Sequence, residues 1–316
     1  MKETDISLIE ATANKEMKIL VSFSGGKDSQ ACLIQACKEF GAKNITAVFC
    51  DTGWEHHLTY QHIENVTKML NVPLVILKNK KVDGFIGLTK QMKWFPDTAH
   101  RMCTVQLKIQ PMIDYVLEQK NEKIVIIQGI RAAESESRSK MKCSANYFEE
   151  YLKEPVKGEK TTRLYRKNDV KTWCKKHTAL VERPFLGASA QDVINYIIDN
   201  GQQPNPLYRQ GASRVGCFPC IYARLTEIKI MRKDTQYVKR LIKLEDEVNN
   251  IRGYKGTPCS FFPKGKIPYR YCTKYGKGIP AFEDVIRYVS RDDAQLDMFE
   301  PEEGYSCMSV YHGLCE

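Results

Sequence analysis

Short apolar runs alternate with helical spacing along the first two thirds of the chain. Runs of apolar residues predict buried strands at 17–21, 44–50, 74–77 and 123–128, and residues 179–185 return to the same fold after a less regular segment. Between and after them, apolar positions at helical spacing predict helices at 31–37, 58–70, 107–117 and 189–200. This alternation predicts an α/β fold with a doubly wound parallel sheet and right-handed crossovers.

The pattern changes in the later parts of the chain. Residues 139–176 lose periodicity and are rich in Lys and Arg, which predicts a basic insertion with short strands that acts as a mobile lid. Residues 224–250 predict one long, charged amphipathic helix, and 254–277 an ordered loop region. We therefore expect a nucleotide-binding domain at 1–225 and a Cys-rich helical and loop extension at 226–316.

One strand-to-helix turn has the residues of an anion site. Two adjacent glycines allow the backbone to approach a ligand closely, and the helix start and a lysine add positive charge. The spacing differs from that of the common P-loop, in which four residues separate the first glycine from the Gly-Lys-Ser/Thr end. The predicted phosphate- or sulfate-binding residues are Ser22, Ser24, Gly25, Gly26, Lys27, Asp28 and Ser29.

Two further strand ends carry polar residues that should lie at the same edge of the sheet. Asp51-Thr52-Gly53 follows the second strand, where Asp51 is suited to a ribose hydroxyl or to a phosphate-bound ion such as Mg²⁺; an ordinary turn is the alternative. Gly129-Ile130-Arg131 follows the fourth strand, with Ser135 and Arg138 beyond it. Arg131 and Arg138 are suited to forked contacts with phosphate or sulfate, although Arg138 also fits a solvated surface.

Cysteines supply a second candidate site. The chain has 12 of them, and disulfides are rare inside cells, so metal binding or catalysis should account for some. Cys217 and Cys220 form a Cys-x-x-Cys motif, which is typical of metal or redox sites. Cys103 lies just before the helix predicted at 107–117, which predicts a lowered thiol pKa, and Lys108 should face the same anionic region.

The other cysteines of the first strands and helices read as packing residues. Cys32, Cys37 and Cys50 lie within apolar patterns that predict the core.

Charge and composition narrow the class of partner. The net charge of the 316-residue chain is +10, which suits a nucleotide, a sulfonucleotide or nucleic acid without choosing among them. No apolar run approaches 18 residues, and the charged N-terminus lacks a signal-peptide pattern, so we expect a cytoplasmic protein without a membrane partner.

Five segments, in order, resemble the phosphoadenosine phosphosulfate (PAPS) reductase family, including its phage and mobile-element members. That family belongs to the PP-loop adenine nucleotide α-hydrolase-like superfamily, which implies a HUP-type fold. The resemblance covers about residues 17–225. Its segments are Ser24–Ser29, Asp51–Gly53, Gly129–Arg138 as Gly-x-Arg-x-x-x-Ser-x-x-Arg, Cys103 with Lys108 and Pro111, and Asn205–Cys220.

The resemblance implies a ligand and a cofactor. The ligand would be ATP, adenylylsulfate (APS) or PAPS, with Lys27 and Arg131 as catalytic groups. Relatives with a 4Fe-4S cluster use two adjacent cysteines and the Cys-x-x-Cys, but here Thr104 follows Cys103. The matched thiols are Cys103, Cys217 and Cys220, with the fourth ligand from Cys307, Cys315, Cys259 or Cys143, or with an open site as in some tRNA thiolases.

Three functions remain open at this point. The first is reduction of PAPS or APS to sulfite with a thioredoxin-like reductant. The catalytic cysteine of such reductases lies in a Glu-Cys-Gly-Leu/Ile-His segment. This chain lacks that order of residues, and its nearest analogue is Cys315 within Tyr311–Glu316. The second is an ATP-dependent sulfurtransferase that acts on nucleic acid, of the DNA phosphorothioation or tRNA thiolation type. The third is a nucleotide-binding regulatory protein without turnover. A homo-oligomer is compatible with all three.

Overall fold

The computed structural model describes residues 17–97, 99–153, 164–253 and 257–291. These residues form two compact units. The first unit takes the described residues within 1–50, 58–77 and 110–205, and the second those within 51–57, 78–109 and 206–316. The domain boundary expected near residue 225 stays a prediction.

A six-stranded sheet forms the centre of the first unit, in the order β3-β2-β1-β4-β6-β5. Four neighbouring pairs are parallel, and only β5 runs antiparallel, against β6. The predicted doubly wound α/β fold is therefore confirmed, with an antiparallel edge strand added. The strands are β1 (Met17–Ser22), β2 (Ile45–Cys50), β3 (Leu74–Leu77), β4 (Lys123–Gln128), β5 (Ser144–Asn146) and β6 (Thr178–Glu182).

Helices cover both faces of this sheet, as expected when strands are apolar on both sides. Ile19 and Val21 face a cluster that includes α1 and α2, whereas Leu20 faces α5, α7 and α8. Cys32, Cys37 and Cys50 pack in these clusters, as predicted. The helices are α1 (Lys27–Phe40), α2 (His57–Met69), α5 (Gln110–Leu117), α6 (Glu136–Ser139), α7 (Glu149–Leu152), α8 (Lys167–Trp173) and α9 (Ala190–Asp199), with short 3-10 turns at Ala42–Asn44 and Ala132–Glu134.

The second unit is built from helices and ordered loops. Phe261 is buried in it and contacts three other buried rings edge-on, those of Phe85, Phe95 and Phe262. Its helices are α3 (Gly84–Met92), α4 (Met102–Thr104), α10 (Pro206–Arg209), α11 (Leu225–Met231), α12 (Thr235–Arg252) and α13 (Phe282–Val289), with a π-helical turn at Val105–Ile109 and a 3-10 turn at Tyr269–Tyr271.

Two sequence predictions about the elements are wrong. The helix predicted at 224–250 is two helices, because the Asp234 carboxylate accepts hydrogen bonds from the backbone N–H groups of Gln236 and Tyr237 and so starts α12 anew. The described part of the 139–176 segment is not a lid. Phe148, Tyr151, Val170 and Trp173 are buried against the sheet, and β5 pairs with β6.

Within the described residues, none of the helices combines the length and apolar character needed to cross a bilayer.

Candidate functional site

The phosphate loop predicted from the sequence connects β1 to α1 in the first unit. Ser22 is the last residue of β1, and Lys27 is the first residue of α1, a helix of 14 residues. Gly26 precedes the helix in an extended conformation and supplies no side chain to cap it. The N–H groups of the first helical turn have no acceptor within the helix, so this end of α1 is suited to an anion.

Hydroxyl groups hold the loop in shape. The Ser29 hydroxyl donates to the Gly26 carbonyl at 2.9 Å and accepts from the Ser24 backbone N–H at 3.2 Å. Ser29 is buried, whereas Ser24 is exposed. Ser29 therefore serves the conformation of the loop, and Ser24 is the hydroxyl that remains accessible to a ligand.

Two glycines permit close approaches that no other residue would allow. Gly25 has a φ of +76°, and a Cβ there would lie 2.9 Å from the Thr59 Cγ2 atom. Gly129 follows β4, and a Cβ there would lie 2.4 Å from the Ser29 backbone nitrogen. The end of β4 thus packs directly against the first turn of α1, which brings the predicted Gly129–Arg131 segment to the loop.

An acidic residue bridges the two predicted catalytic cations. Asp28 accepts from the Lys27 ammonium group at 3.0 Å through one carboxylate oxygen, and from the Arg131 Nε atom through the other. Lys27 and Arg131 are both buried. Two buried cations at a helix start are suited to an anion, and Asp28 neutralises part of their charge and orients them.

The third predicted cation of this unit is held by a second carboxylate. Arg138 forms an ion pair with Glu134, which also accepts from the Arg131 backbone N–H at 3.3 Å. Ser135 caps the short helix α6 by accepting from the Arg138 backbone N–H. Ser135 thus shapes the backbone around Arg138.

Sequence reasoning missed the residues that support the loop from a distance. The fully buried Asn205 amide donates to the Gly25 carbonyl at 3.1 Å. Gln30, also fully buried, donates to Gln202 at 3.1 Å and contacts the His62 Nε2 atom at 3.0 Å. Asn205 could have been found from the sequence, because it belongs to the motif Asn205–Cys220. No sequence motif pointed to Gln30.

The remaining predicted nucleotide residues, Asp51, Thr52, Gly53 and Lys108, belong to the second unit. The Asp51 carboxylate accepts from the Gly53 backbone N–H at 2.8 Å and pairs with Lys78 at 3.0 Å. The Thr52 hydroxyl donates to the buried Glu55 carboxylate at 2.7 Å. Asp51 and Thr52 therefore stabilise the turn that contains them.

The Cys-x-x-Cys segment packs against this same turn. The Phe218 backbone N–H donates to the Trp54 carbonyl at 2.7 Å, and the Trp54 indole N–H donates to the Pro219 carbonyl at 3.1 Å. The Cys217 sulfur lies 3.8 Å from a Glu55 carboxylate oxygen and 3.7 Å from the Thr52 hydroxyl. The turn and the Cys-x-x-Cys segment are therefore one structural feature.

Two predicted thiols of this unit, those of Cys103 and Cys217, each lie within electrostatic reach of the third, Cys220. Burial raises the pKa of Cys217 to about 11 and also raises the pKa of Cys103, and the neighbouring Cys220 acts in the same direction on both. Lys108 lowers the pKa of both Cys103 and Cys217, but burial outweighs it. The predicted lowering of the Cys103 pKa is therefore wrong, because the thiol is half-buried and its desolvation outweighs the nearby positive charge.

The thiols of Cys103, Cys217 and Cys220 are the candidate metal donors of this unit. Three thiols suit iron chemically. Yet the described residues contain no group of three Cys, His, Asp or Glu side chains arranged to hold a metal ion. As placed, the three thiols therefore do not form a site for a single metal ion. Of the candidate fourth ligands, Cys259 is buried and Cys143 is exposed in the first unit, while Cys307 and Cys315 lie outside the described residues.

Comparison with known proteins finds relatives that match most of this chain. An uncharacterized 37.8 kDa protein of Escherichia phage 186 is 27% identical over 94% of this chain and 96% of its own length. An uncharacterized protein of Methanocaldococcus jannaschii is 28% identical over 72% of this chain, which spans 42% of that protein. The crystal structure of a PAPS reductase from Candida auris, a phosphate complex, is 15% identical with a TM-score of 0.45, covering 68% of this chain and 88% of that one.

The sequence also matches the model of one protein family over most of its length. The model of the phosphoadenosine phosphosulfate reductase domain matches residues 18–223, a range that includes the phosphate loop, Arg131 and all three thiols. This chain therefore belongs to the phosphoadenosine phosphosulfate reductase domain family.

Proposed function

We propose that this protein is an enzyme that binds an adenine nucleotide through the phosphate loop of its first unit and acts on the phosphate or sulfate group. The observation that carries this proposal is the contact of Gly129 with the first turn of α1, which brings Arg131 to Asp28 beside Lys27. Two buried cations and the N–H groups of the helix start then converge on one anion.

As the specific reaction we propose reduction of a sulfonucleotide, PAPS or APS, to sulfite. Family membership supports this choice. A thiolate would attack the sulfate sulfur and break its bond to the nucleotide phosphate, which leaves with the bonding electron pair. A thioredoxin-like dithiol would then release sulfite and become a disulfide. Lys27 and Arg131 are suited to neutralise the departing phosphate. Cys315, the predicted nucleophile, lies outside the described residues.

One observation favours an alternative, the ATP-dependent sulfurtransferase. The described residues of the second unit include 24 Lys and Arg against 11 Asp and Glu, and such an enzyme needs a surface for nucleic acid. The same loop would bind ATP and release pyrophosphate. Nucleotide binding without turnover is the outcome that a regulatory protein would give.

The 4Fe-4S cluster remains a separate hypothesis about Cys103, Cys217 and Cys220, and no step above depends on it. Anaerobic purification followed by iron and sulfide analysis tests it. A colourless protein that holds one zinc ion per chain would contradict it.

The deciding experiment offers ATP with Mg²⁺, APS and PAPS in parallel and measures pyrophosphate and, with thioredoxin, sulfite. Replacing Lys27 by Ala should weaken binding of the true substrate about 5- to 150-fold, because one charge-assisted hydrogen bond is lost. Lys43→Ala is the matched control, since Lys43 is exposed outside the loop. Equal binding by both variants would contradict the proposed site.

A further inference from the structure

Positive charge is distributed unevenly between the two units. The described residues of the second unit include 24 Lys and Arg against 11 Asp and Glu. Those of the first unit include 18 Lys and Arg against 14 Asp and Glu. The surplus therefore lies mostly in the unit that lacks the phosphate loop. It is larger than one small anion requires, and a basic unit of this kind is suited to a polyanionic partner.

Helix α12 presents a basic face to solvent. Lys239, Arg240 and Lys243 are exposed; Lys239 and Arg240 are adjacent in the sequence, and Lys243 lies one helical turn after both. The opposite side of the helix, including Leu241 and Leu244, is buried. The three cations thus form one stripe along the outside of the unit.

This stripe begins at the turn that holds the thiols. Arg240 donates to the Gly53 carbonyl at 3.3 Å, and its guanidinium group lies 4.9 Å from the centre of the Trp54 ring. Trp54 in turn donates to Pro219, between Cys217 and Cys220. A polyanion bound along α12 would therefore reach the Cys-x-x-Cys segment.

An arginine–aromatic pair borders the thiols as well. The Arg101 guanidinium group lies 5.4 Å from the centre of the Tyr222 ring, and both residues are exposed. Arg101 is two residues before Cys103, and Tyr222 is two residues after Cys220. Aromatic rings and guanidinium groups are the side chains on which proteins stack unpaired bases.

We propose that the second unit binds single-stranded nucleic acid, with the backbone phosphates on Lys239, Arg240 and Lys243 and a base at the Arg101–Tyr222 pair. The stripe supplies positive charge for a chain of phosphates. The Arg101–Tyr222 pair supplies a surface on which an unpaired base can stack, whereas the bases of a duplex are already stacked on one another. This ligand is separate from the adenine nucleotide of the first unit, and the proposal holds whichever small nucleotide is the substrate.

Fluorescence anisotropy of the full chain with labelled oligonucleotides tests this proposal. The probes are single strands of DNA and RNA of about 20 nucleotides, long enough for a site of this kind, and a duplex of the same sequence. We expect the single strands to bind, and to lose affinity steeply as salt rises from about 50 to 200 mM. The double variant K239A/K243A should bind about tenfold more weakly and reduce the salt slope by about 1.4, as expected for two lost phosphate contacts on a single strand. Tyr222→Leu should weaken single-strand binding and leave the salt slope unchanged.

The matched control is K175A/K176A. It removes the same charge from two exposed lysines of the first unit, within the basic 139–176 segment. Equal loss of affinity in both double variants overturns the proposal. So does tighter binding of the duplex, tighter binding of polyglutamate, or no binding of any oligonucleotide at low salt. Binding of ATP, APS and PAPS by K239A/K243A is measured in parallel. If the wild type binds the small nucleotide normally but binds no oligonucleotide, this proposal is wrong while the proposed function of the first unit still stands.

Discussion

The replacement of Gly129 by Ala tests most directly how the end of β4 packs against the phosphate loop and the start of α1. The added Cβ would lie 2.4 Å from the Ser29 nitrogen, 2.5 Å from the Asp28 carbonyl carbon and 2.6 Å from the Ser29 Cα atom. All three are backbone atoms in the first turn of α1, so no side chain can rotate to make room. Ordinary contact would require the end of β4 and the start of α1 to separate by about 1 Å.

The size of the effect follows from that displacement. Overpacking of this kind costs about 1–3 kcal/mol in the free energy of unfolding, which urea titration measures. The same shift moves the N–H groups and Arg131 out of register with the bound anion, and a misplacement of about 1 Å can cost up to about a hundredfold in rate. We therefore expect a lower urea midpoint and a large loss of nucleotide affinity together.

Gly187→Ala is the matched control. Gly187 lies in the same unit, and a Cβ there would meet nothing within 4 Å. Its stability should stay the same or rise by about 0.4–1 kcal/mol, because alanine restricts the unfolded chain. If G129A and G187A unfold alike and bind nucleotide alike, the reasoning about the loop is refuted.

Two further predictions concern the support of the loop. Burial lowers the pKa of His62 to about 4, whereas an unfolded histidine titrates near its usual 6.5. The unfolded state therefore binds the proton more tightly than the folded state. The contribution of His62 to the free energy of unfolding is fully present above pH 6.5, and it falls by up to about 3 kcal/mol as the pH drops towards 4. His62→Gln should flatten that slope in urea titrations at several pH values, and an unchanged slope would contradict it. Asn205→Ala removes the donor 3.1 Å from the Gly25 carbonyl and should cost about 1–3 kcal/mol in stability, with weaker nucleotide binding; wild-type values in both assays would show that Asn205 does not support the loop.

Features formed by residues close together in the sequence could be predicted from the sequence alone. The strand β1, the loop and α1 are consecutive, so their pattern of apolar residues, glycines and lysine carries the whole signal. The capping box of α9 was readable for the same reason, since Ser189 and Asp192 exchange hydrogen bonds within one turn. The break between α11 and α12 was missed, because the amphipathic pattern continues through Asp234 while its carboxylate caps a new helix.

Features that depend on distant partners were not readable. Asn205 is 180 residues from Gly25 in the sequence, and nothing near either residue reveals the hydrogen bond. Cys103 looked like an activated thiol from its place near a helix start, but its pKa depends on burial, which only packing determines.

The sequence alone determined the class of fold and predicted an anion site in the loop, because short-range periodicity and backbone freedom are local properties. Only the tertiary structure decided that Asp28 neutralises Lys27 and Arg131 in a shared pair. It also placed the Cys-x-x-Cys segment on the turn at Trp54 and gathered the surplus positive charge in the second unit. These outcomes depend on which distant segments meet, and so on burial and charge in three dimensions.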